Sequence, residues 1–286
     1  MRNLILALLL ASPAVPAAAL AVAQLAEDEA AFQNLSELFR SASDKSAVID
    51  AFGKFIDKYP DSMRAADAQF MQGEAYMSKG LELLRKENAS KMSSDARIMA
   101  GANPLAIAEL NGAVSAYQRV IKKYGKSGLE ASAQQRTGEA FYNMGSWERA
   151  IKEFERVEEK YPGSYIVPES LLGIAYSHIA SGRFPAAQVI LFHLEETYPV
   201  YAKEPSVVFA KAVIELNRKN YAAAQKAFTA LETPSARFFL GKAYLYEGKT
   251  YMAAGAFEKL LKDHPDSPYR EEAELLMADA FLYARD

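Results

Sequence analysis

From Ala30 to the end of the chain, small, aromatic and charged positions recur with a period of 37 residues. With Gly138 as anchor, Phe141 follows at +3, Gly145 at +7, Trp147 at +9, Ala150 at +12, Phe154 at +16, Val157 at +19 and Pro162 at +24. From Gly241 the same offsets give Tyr244, Gly248, Thr250, Ala253, Phe257, Leu260 and Pro265. From Ala175 they give His178, Gly182, Phe184, Ala187, Leu191, Leu194 and Pro199. Within each block the apolar residues fall at helical spacing, so each block predicts a helix, a tight turn and a second helix folded back on the first. Stacked units of this kind form a solenoid with no single core, which points to binding rather than catalysis.

The offsets have a physical sense. A small anchor lets the second helix approach, and Ala150 and Ala253 at +12 are expected to face the glycines across the crossing. Gly at +7 suits a helix end that needs φ > 0. Pro at +24 stops the second helix, and the Ser in Tyr59-Pro60-Asp61-Ser62, Tyr161-Pro162-Gly163-Ser164 and His264-Pro265-Asp266-Ser267 is placed to cap the next one. Anchors fall at Ser36, Gly73, Gly138, Ala175, Ala212, Gly241 and Ala278, with one long step of 65 and one short step of 29. The long step predicts an inserted helical hairpin at about 81–108, with Lys91 to Asn103 as its loop; a disordered surface insertion is the alternative. The short step predicts that the helix from Tyr221 ends early, at Thr233-Pro234. Six helix pairs then precede a terminal helix from Pro268 to about Ala284, expected to cover the end of the array and present a polar side outward.

Small residues at the helix crossing, an aromatic pair and a closing Pro resemble the tetratricopeptide repeat (TPR) over most of residues 30–286, although Gln134 and Thr137 stand where the consensus has Trp and Leu. The Tyr-Pro-x-Ser punctuation resembles TPR proteins of the bacterial envelope, such as the outer-membrane assembly lipoproteins and the Tol-Pal-associated cell-division coordinator. The resemblance implies an all-α, right-handed αα superhelix whose first helices line a concave surface. Facing offsets there are −6, −3, +1, +4 and +5 from the anchor. Among the residues they select are Phe70, Met77, Tyr142, Leu172, Tyr176, Phe209, Leu216, Phe238, Lys242 and Tyr246, the candidate partner-binding set. This mostly apolar set suits an amphipathic or hydrophobic segment of another envelope protein. Two alternatives stand beside it: neighbouring repeats bury the same residues, or the chain self-associates through apolar helix faces. A small-molecule carrier or enzyme accessory subunit is the contrasting class.

The N-terminus adds a compartment. After Met1-Arg2-Asn3 the chain is uncharged from Leu4 to Ala26, with an apolar run at Leu4–Leu10, breaks at Pro13 and Pro16, and small residues at Ala21-Val22-Ala23. This reads as a signal peptide over residues 1–23, cleaved before Gln24, with the solenoid occupying 24–286. A second cleavage site after Ala19 and an uncleaved anchor are the alternatives. The sequence has no cysteine, so it offers no thiol for lipid attachment, and a soluble periplasmic protein is expected. A net charge of −3 without a clustered basic face argues against nucleic acid. The only histidines, His178, His193 and His264, have no metal-ligand spacing, and phosphate loops and nucleophile motifs are missing. Neither enzyme activity nor a cofactor or metal is expected.

Overall fold

In a computed structural model, residues 17–90 and 103–283 are described, with side chains over 27–86 and 103–282. Among them run thirteen α-helices: α1 (Ala17–Ser41), α2 (Ser46–Lys58), α3 (Ala65–Ser90), α4 (Pro104–Lys123), α5 (Glu130–Asn143), α6 (Trp147–Lys160), α7 (Val167–Ala180), α8 (Phe184–Thr197), α9 (Pro205–Asn217), α10 (Tyr221–Ala230), α11 (Pro234–Tyr246), α12 (Thr250–Asp263) and α13 (Arg270–Tyr283). A short 3₁₀ turn, Tyr201–Lys203, precedes α9. Consecutive helices pack antiparallel as six pairs closed by α13, and the first helices also touch across units, α3 with α5, α5 with α7, α7 with α9 and α9 with α11. They form the inner layer of an all-α TPR superhelix.

The turns follow from backbone chemistry. Gly145, Gly182 and Gly248 take φ of 71°, 74° and 83°, the left-handed conformation that closes a helix. In each, the next residue donates its N–H back across the turn, Ser146 to Phe141 O, Arg183 to His178 O and Lys249 to Tyr244 O. Lys219 stands at the same +7 position after Ala212 and adopts φ 62°, a conformation that costs an L-residue energy. The three punctuating serines do accept orphan N–H groups, from Arg64 at 3.0 Å, Ile166 at 3.3 Å and Tyr269 at 3.2 Å, in a turn just ahead of each helix.

The crossing itself differs from expectation. Ala150 and Ala253 are fully buried, but it is the +16 aromatic that meets the glycines. A Cβ on Gly138 would lie 2.7 Å from the Phe154 ring, one on Gly173 would lie 2.7 Å from the far edge of the same ring, and Gly241 is pressed against Phe257. A flat ring reaches farther across the interface than a methyl group, so the missing Cβ makes room for the ring. Gln134 and Thr137, in place of the consensus apolar pair, are buried and satisfied: Gln134 donates to Glu153, and the Thr137 hydroxyl donates to Ala133 O at 2.7 Å.

Both irregular steps have structural counterparts. The helices flanking the long step, α3 and α4, have 26 and 20 residues against 14 in each of α5 to α8. They cross closely where Gly80 meets Leu110 and Gly112 meets Tyr76; the loop expected at Lys91 to Asn103 lies almost wholly outside the described residues. At the short step α10 has only 10 residues, and Thr233 caps α11 by accepting from Ala236 N at 3.2 Å. The terminal helix departs from expectation. α13 packs inward through Ala273, Ala280, Leu276 and Met277, while Leu275, Phe281 and Leu282 are exposed. Its inner seam joins two alanines to Leu276 and Met277, and Leu275, Phe281 and Leu282 stand outward beside the Glu274–Arg270 pair, so the outer side is more apolar than expected. At the other end, residues 1–16 of the expected signal peptide lie outside the described residues, and the expected cleavage point falls within α1. Among the described residues no helix is long and apolar enough to cross a membrane.

Candidate functional site

Where α5 and α7 run side by side in the inner layer, they leave a cleft of about 280 Å³ lined by Gln135, Glu139, Tyr142, Asn143, Phe154, Glu169, Leu172, Gly173 and Tyr176. Gly173 adds no side chain here, so the Phe154 ring forms part of the floor. Tyr142 and Tyr176 stand at +4 and +1 of successive anchors. The Tyr176 hydroxyl donates to the carbonyl of Ser206 at 2.8 Å, tying the wall to the start of α9. A wider depression of about 480 Å³ lies at the edge of the array, lined chiefly by Ser62–Ala66 and Lys123–Ser127. It is built from two interhelical turns with Tyr124 as its one aromatic lining residue, whereas the inner cleft is walled by two helices and three aromatic rings, so the inner cleft is the better candidate.

Polar contacts flank the cleft on one side. Arg136 Nε lies 3.0 Å from Glu74 Oε1, Nη2 3.1 Å from Glu74 Oε2, and Nη1 2.5 Å from Glu139. The Tyr117 hydroxyl donates to Glu74 at 2.6 Å, and the Gln135 amide donates to Glu139 at 2.7 Å. Burial alone would lower the Arg136 pKa, but Glu139 and Glu74 outweigh it and hold the guanidinium charged. Burial, then Glu74, pushes the Tyr117 hydroxyl far above its ordinary value. Glu169 makes no hydrogen bond or ion pair among the described residues; burial, followed by the charge of Glu139, raises its carboxyl.

The tyrosines share one environment. Burial raises Tyr142, with Tyr269 adding to it. Burial also raises Tyr176, helped by Tyr142, Tyr201 and Tyr269. Tyr201 is pushed up to about 12 by burial, then by Glu169 and Glu204. The hydroxyls of Tyr142, Tyr176 and Tyr201, from α5, α7 and the 3₁₀ turn, therefore stay protonated, as donors and acceptors on an aromatic surface.

Of the ten candidate residues, the structure brings Tyr142, Leu172 and Tyr176 together at the cleft. Leu172 is a largely buried wall. Phe70 packs on Tyr117 at 5.4 Å, and Met77 is buried in the core. Leu216 is buried at the end of α9. Phe238 is only 2% exposed and stacks on Tyr269 at 4.6 Å, so it is core rather than groove lining. Phe209 is half-buried, edge-on to Phe239 at 5.4 Å. Lys242 pairs with Glu272 at 3.5 Å above the Phe238 and Phe239 rings. Tyr246 is 56% exposed, outside the cleft lining. The reason lies in rings that the offsets do not select: Phe239 packs against Phe209, Phe228 and Phe238, and Tyr269 stacks on Phe238, so Phe209 and Phe238 are covered. Arg136, Glu169, Tyr201 and Tyr269 escape the candidate set. Glu169 has a signal, since it stands six residues before Ala175, but Tyr201 and Tyr269 lie between units where no offset points to them.

Known proteins with similar folds are TPR proteins. A thermophilic TPR protein of Thermus thermophilus superposes with a TM-score of 0.51 at 15% identity, over 73% of this chain and 99% of that one. The pilF protein of Pseudomonas aeruginosa gives 0.51 at 14% identity, over 87% and 96%. In sequence, the outer membrane protein assembly factor BamD of Caulobacter vibrioides is 22% identical over 180 residues, which is 51% of this chain and 58% of that relative, less than two thirds of its length. The family model described as outer membrane lipoprotein, YfiO, matches residues 130–281, which takes in both walls of the cleft and everything from there to α13. Over that span, more than half of its length, the chain belongs to the YfiO family of outer membrane lipoproteins, built on tetratricopeptide repeats.

Proposed function

We propose that this protein is a non-enzymatic scaffold of the bacterial envelope that holds a segment of another envelope protein in the α5–α7 cleft, in the service of outer-membrane protein assembly. The observation that carries this reading is the cleft itself, an aromatic, partly charged recess in the layer that TPR arrays turn toward partners. The family match and the similarity to an assembly factor support the process. In this reading the chain is exported through residues 1–23 and works in the periplasm from Gln24 onward. None of the 286 residues is a cysteine, so they hold no attachment point for the lipid that the family's description implies.

One preparation tests both halves. Protein from the soluble periplasmic fraction of a Gram-negative host should begin at Gln24 by N-terminal sequencing; a chain starting at Met1 and held in the membrane overturns export. The same material, with Tyr142→Ser and Tyr176→Ser combined, should keep its helical circular dichroism and lose its partner in a pull-down from envelope extract. A folded double variant that captures the same partner overturns the cleft.

A further inference from the structure

Charge in the cleft is out of balance. Among the described residues meeting there, one guanidinium, Arg136, serves the carboxylates of Glu74 and Glu139 with all three of its nitrogens. Glu139 takes the Gln135 amide as well. Glu169, across the cleft on α7, is left without an ion pair or hydrogen bond among the described residues. A segment laid over the cleft would strip water from Glu169. An apolar segment would leave that carboxylate dehydrated and unanswered, which is costly. An acidic segment would add like-charge repulsion. A divalent cation is a poor fit, because no group of three or more metal-ligating side chains comes together among the described residues and hard cations take six or more oxygens.

We infer that the partner segment enters the cleft at a Lys or Arg side chain, its cationic head on Glu169 and Glu139 and its methylene stem along Tyr142 and Tyr176. Both aromatic faces favour a cation, and the stem of such a side chain packs on apolar surface while its head stays polar. The inference rests on the peptide-binding reading above and narrows it, from a segment of unstated chemistry to one with a basic residue at its centre.

The test pans a displayed library of random peptides against the full chain, the Glu169→Gln chain and the Tyr142→Ser, Tyr176→Ser chain. Peptides selected by the parent chain should be enriched in Lys or Arg and should depend on the tyrosines. A selected peptide should bind the Glu169→Gln chain about tenfold more weakly, as expected for a lost charge-assisted contact. Replacing its basic residue with Met should cost the same, with no further loss when both changes are combined. Tyrosine-dependent peptides without basic enrichment, or enrichment that survives Glu169→Gln, overturn this inference and leave the cleft standing. Peptides indifferent to both tyrosines, or no selected peptide at all, overturn the cleft reading and this inference with it.

Discussion

The inner layer carries two different chemistries at the same repeat offsets. On α5 and α7 the −3, +1 and +4 positions are Gln135, Glu139 and Tyr142, then Leu172, Tyr176 and Ile179; on α9 and α11 they are Phe209, Val213 and Leu216, then Phe238, Lys242 and Leu245. All of the first set except Ile179 borders an open cleft. The second is closed by rings: Phe239 lies 5.4 Å from Phe209, 5.9 Å from Phe228 and 5.6 Å from Phe238, and Tyr269 covers Phe238. Both pairs of inner helices touch, but between α9 and α11 the rings of Phe239 and Tyr269 occupy the space that stays open beside Tyr142 and Tyr176. An offset therefore tells which way a side chain points, and residues outside the offsets, here Phe239 and Tyr269, decide whether anything stands in front of it.

The sharpest way to break this comparison is to remove a covered ring from one region and the wall's single hydrogen bond from the other. Phe238→Ser should lower unfolding free energy by about 3–5 kcal/mol, the usual cost of emptying a buried aromatic site. Tyr176→Phe keeps the ring and removes only the hydrogen bond to Ser206, at about 0.5–1.5 kcal/mol. Urea denaturation of the two variants checks this, and equal losses would mean that both regions are core.

A smaller effect belongs to the turn at Lys219, in the ring-filled region. Lys219→Gly should raise stability by about 0.5–1 kcal/mol, because relief of a left-handed residue is partly offset by the freedom glycine has when unfolded. The turn should then resemble those at Gly145 and Gly182 in the open region. A thermal melt that falls instead would show that the Lys219 side chain contributes more than its backbone costs.

Smallest is the charge effect at the cleft. Burial and Glu139 raise the Glu169 carboxyl above its unfolded value, so its ionised form disfavours the fold at neutral pH. The penalty fades as pH falls through the raised native pKa. Glu169→Gln should accordingly be slightly more stable than the parent near neutrality, with the gap shrinking on acidification. Melting curves across that range test it; a gap that does not change with pH would mean that the cleft does not perturb this group.

Much of the architecture was legible in the chain because helix pairing is a local matter. The anchors place α5 to α8, α11 and α12, and Gly145, Gly182 and Gly248 at +7 do close helices with positive φ, whereas Gly80, at +7 from Gly73, lies within the long α3. The partner of each anchor glycine was less legible: Phe154 and Phe257 take the place expected for Ala150 and Ala253, since offsets record a face and say nothing of side-chain reach. The site divides in the same way. Tyr142 and Tyr176 follow from the register, whereas the burial of Phe238 and the approach of Tyr201 and Tyr269 depend on how one unit settles on the next.

The Phe154 ring, held between Gly138 of its own unit and Gly173 of the following one, makes those units a single mechanical joint. Neither can loosen without undercutting the other, so order along this stretch is gained and lost in runs rather than unit by unit. The same ring forms part of the cleft floor. A guest in the proposed site would rest on the joint itself, in contact with both repeats at once.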